Sequence, residues 1–311
     1  TTGDNNTAVG HRALDANTTA DNNTAVGKDA LGANTTGANN TAVGVNALDA
    51  QTTGGNNTAI GYLAATSLTT GTSNTALGQS ALEGCVDGTN NVAIGYETGT
   101  ADWGDDNVAV GYRALKVNTA NYNTAVGSNS GVTNTTGTKN TSIGGWSLRY
   151  NTTGSENTAL GYEALEDNTT GDKNTAVGYR AAATVTTGEQ NTALGWGAYD
   201  DGDGNYNVAI GALSGTSQTT GNRNTLCGNS SGSGLTTGSD NTFLGFKAGN
   251  ATTTADNNVA IGKEALYTNT AGAYNVAIGR EALYNNTADN NTAVGYQALY
   301  DNTSGDYLVA V

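Results

Sequence analysis

The sequence predicts an all-β fold, a parallel β-solenoid of about 18 coils with a repeat of 16 or 17 residues. The phrase Asn-Thr-Ala-Val-Gly, first present as Asn6 to Gly10, returns along the whole chain. Its glycine recurs every 17 or occasionally every 16 residues, from Gly10 and Gly27 to Gly279 and Gly295. A unit this short buries too little apolar surface to fold alone, so successive copies have to stack.

Each copy contributes one strand, because the apolar phrase is short, β-branched and followed by glycine, with no run long enough for a helix. With strands about 4.8 Å apart, 18 coils predict a rod roughly 85 Å long. The length of 311 residues would suffice for two globular domains, but no linker or shift in composition interrupts the repeat. We therefore predict a single continuous domain over residues 1–311, open at both ends.

The residue before the repeating glycine is always apolar and mostly branched, as in Val9, Ile60 and Leu160. Because side chains alternate along a strand, we expect this column to point into a dry core and the neighbouring column, nearly all alanine, to lie on the opposite side. Such a core is thin, so the alanine side is predicted to pack against a partner and the chain to self-associate. The Ala-Leu pairs past the glycine, such as Ala30-Leu31, are expected to close the other wall of the core.

An asparagine stands four residues before the glycine in every complete copy. We interpret this column as a structural Asn ladder, in which stacked amides lock the register and Asn adopts the left-handed backbone of a corner. Its members are Asn6, Asn23, Asn40, Asn57, Asn74, Asn91, Asn107, Asn123, Asn140, Asn157, Asn174, Asn191, Asn207, Asn224, Asn241, Asn258, Asn275 and Asn291.

Aromatic residues recur at the position after the glycine and form an intermittent stripe. Packing against another chain or a plain surface role is favoured over recognition of a cell-surface glycan or receptor, because other residue types interrupt the column. These possible surface-contact residues are Tyr62, Tyr96, Tyr112, Tyr162, Tyr179, Trp196, Phe246 and Tyr296.

Catalytic chemistry is sparse in this sequence. The only histidine, His11, has no partners that would complete a nucleophilic triad. The segment from Asp201 to Asn205 faintly resembles a calcium loop but lacks its distal glutamate. Cys85 falls in a turn, where it could cross-link chains, and Cys227 takes the place of valine in the branched column. We predict no enzyme activity, no cofactor and no metal.

The net charge is −15, and no basic stripe exists to neutralise phosphates, so nucleic acid is excluded as a partner. No apolar stretch approaches the length of a membrane span, and we expect no direct membrane insertion. The acidic residues are scattered through the turns, where their charge favours solubility.

The phrase Asn-Thr-Ala-Val-Gly-x-x-Ala-Leu resembles the Asn-x-x-Ala-Ile-Gly-x-x-Ala repeats of YadA-like heads in trimeric autotransporter adhesins. It is also similar to repeats of bacteriophage tail-fibre and bacterial surface fibre proteins. The resemblance covers essentially the whole chain and implies a left-handed β-roll that forms a homotrimer. This chain departs from the heads in its longer coil, and it shows no neck, stalk or membrane anchor.

The leading hypothesis is a non-enzymatic structural rod, a shaft or head segment of an extracellular fibre or adhesin at a cell or virion surface. Three alternatives stay open. The chain could be an end-to-end polymerising filament subunit, a glycan-binding module that uses the aromatic stripe, or an ice-binding solenoid that uses the threonine pairs of its turns.

Overall fold

The computed structural model describes residues 2–311, and it confirms the all-β parallel solenoid. Nineteen parallel strands in this part of the chain make about 18 turns with a repeat of about 17 residues. The coils fall into two compact units, Thr1–Glu156 and Asn157–Val311. Residue 1, where the predicted domain begins, lies outside the described residues.

Every coil contributes one very short strand. In the first unit these are β1 (Thr7–Val9), β2 (Thr24–Val26), β3 (Thr41–Val43), β4 (Thr58–Ile60), β5 (Thr75–Leu77), β6 (Val92–Ile94), β7 (Val108–Val110), β8 (Thr124–Val126) and β9 (Thr141–Ile143). In the second they are β10 (Thr158–Leu160), β11 (Thr175–Val177), β12 (Thr192–Leu194), β13 (Val208–Ile210), β14 (Thr225–Cys227), β15 (Thr242–Leu244), β16 (Val259–Ile261), β17 (Val276–Ile278), β18 (Thr292–Val294) and β19 (Val309–Ala310).

The register of the strands is uniform within each unit. Ala8 pairs with Ala25 seventeen residues later, and Ala93 pairs with Ala109 although that step is one residue shorter. The one residue that the shorter coils lack is therefore missing outside the strand, where a solenoid tolerates a deletion.

The predicted orientation of the strands was wrong. In β10, Ala159 is fully buried, whereas Thr158 and Leu160 on either side of it are exposed. The same pattern, buried in the middle and open at both flanks, holds from β2 to β18. The alanine column faces the core and the branched column faces outward, because a coil of 17 residues is too narrow to hold a large side chain on the strand as well as the leucines opposite.

Those leucines close the interior as expected. Ala30 and Leu31 are fully buried, and the Leu31 N–H donates a 3.0 Å hydrogen bond to the Ala47 carbonyl of the next coil. Leu31 adopts the left-handed backbone, with φ of 50°. The interior is thus filled by alanine methyl groups from the strand and by Ala-Leu pairs from the facing corner.

The glycine after each strand is fixed by close stacking of backbones. Gly44 has φ of +139°, and a Cβ atom there would lie 2.3 Å from the carbonyl oxygen of Gly61 in the next coil. Neither that backbone conformation nor that approach is open to a residue with a side chain.

Large core residues are matched by glycines. Phe243 replaces the strand alanine and is fully buried, and in the same coil Gly249 replaces the usual leucine. A Cβ on Gly249 would lie 2.3 Å from the Phe243 ring carbon Cε2. The indole of buried Trp103 occupies the space beside Gly99 in the same way. The interior volume per coil is therefore conserved even where its residues change.

Candidate functional site

The outward face of the parallel sheet is a surface that repeats from coil to coil in each unit. We define it by three columns: the residues three and one before the repeating glycine, and the residue after it. In the second unit Leu160 and Leu194 are each 44% exposed, and Trp196 is 54% exposed. An apolar face of this extent is rare on an isolated soluble chain and marks an interaction surface.

Charge is absent from most of this face. The chain carries 12 Lys and Arg and 27 Asp and Glu. None of them stands in the two strand columns anywhere in residues 2–311, which contain Thr, Val, Ile, Leu and Cys227. The third column has only a few basic residues, such as Lys28 and Lys263. Depletion of charge at the centre of a patch is the compositional mark of a protein interface.

The predicted aromatic stripe lies along one side of this face, and all eight of its members are exposed. The rings of Tyr96 and Tyr112 stack on each other with centroids 5.7 Å apart, and those of Tyr162 and Tyr179 do so at 5.8 Å. Stacked rings present their edges outward and cover one another's faces. This arrangement suits contact with a protein surface better than stacking against a sugar.

Ionic contacts fix the first of these stacked pairs. Glu97 accepts hydrogen bonds from Lys116 Nζ at 2.6 Å and Arg113 Nε at 2.8 Å. The Lys116 contact, followed by a hydrogen bond from Tyr96, lowers the pKa of Glu97 to about 2. The bond to Glu97 in turn raises the pKa of Tyr96. The carboxylate stays charged and the phenol neutral across the physiological range, so the pair holds one geometry.

The eighteen ladder asparagines lie inside the coils, away from the outward face, and all but the half-buried Asn6 are buried. Asn40 Oδ1 accepts the backbone N–H of Asn57 at 2.9 Å, and Asn40 Nδ2 donates to the Gly54 carbonyl at 3.0 Å. The column thus joins coils mainly by bonds from side chain to backbone. The left-handed backbone belongs to the residue before each ladder asparagine, such as Asn39 with φ of 60°, and not to the ladder residue as predicted.

A second column of polar side chains, seven residues after the glycine, was missed by the sequence analysis. Asn134 Nδ2 donates to Asn118 Oδ1 at 2.6 Å, and Asn151 Nδ2 donates to Asn134 Oδ1 at 2.6 Å. These amides are buried, and they form a second, shorter set of bonds from amide to amide beside the longer amide contacts of the first column, such as Asn74 Nδ2 to Asn57 Oδ1 at 3.1 Å. Its asparagines begin the Asn-Thr-Thr-Gly phrase of many turns, but apolar residues such as Leu68 occupy the same position in other coils, so the sequence shows no continuous column.

Cys85, which the sequence places in a turn where it could cross-link chains, occupies this second column and is fully buried. Burial raises the pKa of its thiol to about 12. A buried, protonated thiol is unsuited to cross-linking chains. Cys227 instead lies on the outward face in β14.

A further aromatic stack was also missed, on a side of the second unit other than the outward face. Tyr267, Tyr284 and Tyr300 stack in succession with centroids 4.9 Å apart. Their position, five residues past the glycine, is occupied by many residue types in other coils, so it does not stand out as an aromatic column along the chain.

The turn threonines have structural partners. Thr35 Oγ1 donates to the Thr52 carbonyl at 3.0 Å, and Thr52 Oγ1 donates to the Thr69 carbonyl at 3.1 Å. The first threonine of each such pair therefore ties its turn to the next coil. Only the second, such as Thr36, is left exposed.

The faint calcium loop makes protein contacts instead. Asp203 Oδ1 accepts the N–H groups of Thr186 at 2.7 Å and Thr187 at 2.9 Å. Although burial acts to raise it, these hydrogen bonds leave the pKa of Asp203 lowered. No cluster of three or more His, Cys, Asp or Glu side chains suited to a metal ion occurs among residues 2–311. Over the same residues, no helix has the length and apolarity needed to cross a membrane.

Comparison of the sequence with protein-family models found no match, and comparison with curated proteins found none either. The resemblance to YadA-like head repeats therefore stays an expectation.

Proposed function

We propose that this chain is a non-enzymatic structural segment of an extracellular fibre or adhesin and that it self-associates as a homotrimer through its outward face. The observation that carries the proposal is a face without acidic residues and with few basic ones, lined by threonine and branched apolar side chains, on a chain of net charge −15. The resemblance to YadA-like heads and fibre repeats supports the trimeric state, the left hand of the coil and the location at a cell or virion surface.

The extent of the face favours other copies of this chain as its occupants. Nine strands about 4.8 Å apart span about 40 Å, and five residues of extended chain span about 16 Å, so each unit offers roughly 600 Å². Shared between two neighbouring copies, the two areas provide roughly 600 Å² per interface, which approaches the value of about 800 Å² per partner for a stable interface. The strands of a second copy have the same spacing as those of the first. The branched side chains of the two copies can therefore contact one another at every coil. A three-fold axis parallel to the direction of stacking preserves this match for three chains.

A charge placed on the face is expected to separate the copies without unfolding them. Leu160→Asp with Leu194→Asp puts two carboxylates into the proposed interface, where burial without a partner is unfavourable. Light scattering with electron microscopy is expected to give trimers for the wild-type chain and monomers for this variant. The matched control, Thr170→Asp with Thr187→Asp, adds the same charge to exposed turn positions and is expected to remain trimeric.

A wild-type chain that is monomeric would refute the trimer, and long polymers of uniform width would identify a filament subunit instead. The monomer outcome would favour the ice-binding alternative, because the outward face carries a column of threonines, replaced by valine in six strands, on parallel strands. Thermal hysteresis that is lost when those threonines are replaced would then establish it.

Cys227 provides a test of the register between copies. In a three-fold arrangement with the copies in register, the Cys227 residues lie at the same height along the direction of stacking. We expect them to be close enough there to form a disulfide. We expect oxidation by copper-phenanthroline to produce linked dimers on a non-reducing gel. Cys227→Ser should abolish them, whereas Cys85→Ser should not, because Cys85 is buried. Trimers that yield no linked dimers would show that the copies associate in another register.

A further inference from the structure

A notch opens on the turn side of the first unit where a coil is one residue short. Full-length coils turn through Asn34-Thr35-Thr36-Gly37, and the Gly37 carbonyl accepts Asn34 Nδ2 at 2.9 Å. The coil of residues 112–127 has only Asn118-Thr119-Ala120, and the Ala120 carbonyl takes over that bond at 2.8 Å. The exposed second threonine has no counterpart here, which leaves a cavity of about 360 Å³.

The notch is walled by an aromatic ring whose faces have no partner. Tyr122 stands at the left-handed corner, with φ of 61°, and is 56% exposed. Within residues 2–311 its ring stacks on no other ring and its hydroxyl makes no hydrogen bond. It therefore differs from the paired tyrosines of the outward face.

Several polar groups converge on the same space with their hydrogen bonds unmade. The hydroxyls of Thr136 and Thr138 and the Nδ2 group of Asn121 line the notch and have no partner in the part of the chain that the structure describes. Asn121 is held in place, since its Oδ1 accepts the Asp105 N–H at 2.9 Å. The one charged neighbour, Lys139, lies 3.8 Å from Glu156 Oε1.

We propose that the Tyr122 notch binds a neutral pyranose unit of a glycan. A pyranose has an apolar C–H face, which matches the free tyrosine ring, and hydroxyls around its edge, which match two threonine hydroxyls and one amide. The volume falls in the range of about 300–1,000 Å³ that is usual for ligand sites, and an apolar lining with a few convergent polar groups is their usual make-up. The net negative charge of the chain disfavours acidic sugars.

A second short coil, residues 196–211, provides an internal comparison. Its corner residue is Tyr206, exposed like Tyr122, but its smaller cavity of about 210 Å³ is lined by Asp201 and Asp203. Asp203 is engaged by backbone N–H groups, and that notch, which Thr184, Thr219 and Thr220 also line, differs by its two carboxylates. Tyr206 is thus a matched control for Tyr122.

The test is saturation-transfer difference NMR on the full chain with methyl glycosides of glucose, galactose, mannose and N-acetylglucosamine as probes. Saturation is expected on the C–H protons of one pyranose face for at least one probe. Tyr122→Ala should weaken that binding roughly tenfold or more, whereas Tyr122→Phe should largely retain it because the ring remains. Tyr206→Ala should leave it unchanged.

A second variant restores the missing residue. Inserting a threonine after Thr119 rebuilds a full-length coil and fills the notch without removing Tyr122. Binding should therefore be lost, while the circular dichroism spectrum and the number of associated chains are unchanged. Absence of saturation for every probe, or binding that survives both Tyr122→Ala and the insertion, would overturn the proposal. Sugar binding at the notch is tested independently of the trimer. The trimer is tested by light scattering and depends on the outward face, not on the turns.

Discussion

Replacing Asn40 by aspartate is expected to destabilise the fold by about 3–5 kcal/mol at pH 7, whereas the same replacement at neighbouring Asn39 is expected to cost under about 0.5 kcal/mol. Asn40 is fully buried and its Nδ2 donates to the Gly54 carbonyl at 3.0 Å. In Asn40→Asp, a carboxylate oxygen replaces the Nδ2 group, so the Gly54 carbonyl loses its donor and faces a buried negative charge. Asn39 is exposed, and aspartate tolerates its left-handed backbone.

The effect of Asn40→Asp depends on pH in a definite direction. Burial raises the folded-state pKa of the new carboxyl above its unfolded value of about 3.9. The protonated acid donates to the Gly54 carbonyl, so stability is retained below the unfolded pKa and is lost as pH rises through the folded pKa. Guanidinium unfolding followed by circular dichroism should show a smaller deficit against wild type at pH 4 than at pH 7. Equal stability of the Asn39 and Asn40 variants would contradict a buried ladder.

The exchange of Phe243 and Gly249 is expected to show strong coupling. Phe243→Ala alone empties a fully buried site and should cost about 3–5 kcal/mol. Gly249→Leu alone places its Cβ 2.3 Å from Phe243 Cε2, and overpacking of that kind should cost at least about 3 kcal/mol. The double variant recreates the Ala260 and Leu266 pair of the next coil and is expected within about 1–2 kcal/mol of wild type.

The measurement is a double-mutant cycle from denaturant unfolding at one pH. A leucine at position 249 has to adopt the left-handed backbone, but Leu266 already does so with φ of 54°. Additive effects of the two single changes would show that the two sites do not share one volume. An unaltered stability of Phe243→Ala would show that the ring is not part of the core.

The period of the sequence was sufficient for the class of fold, the strand positions and their register. It was not sufficient to decide which side of the strand faces inward, because three residues of alternating side chains satisfy either choice. We placed Val9 and Leu160 inside on hydrophobicity. The deciding signal was the ladder asparagine, which stands two residues before the alanine and so shares its side. A buried amide ladder requires buried alanines.

The second amide column and the notch were beyond sequence reasoning for a different reason. Asn34, Gln51, Leu68 and Cys85 occupy one interior column, but only the first two carry the amide that defines it. Nor does a one-residue deletion reveal whether the chain closes over the gap or leaves it open. Both features depend on the path of the turn in three dimensions.

The way in which the ladder asparagines bond from one coil to the next bears on how the chain folds. Asn40 Oδ1 is satisfied only when Asn57 is in place, and the partners of its other bonds lie 14 and 17 residues away. Within each unit, contacts thus link nearest neighbours in a one-dimensional array, where each finished coil serves as the template for its successor. Chains with such local contacts fold rapidly for their length. Folding can then proceed coil by coil during synthesis, with one coil added for every 16 or 17 residues that leave the ribosome.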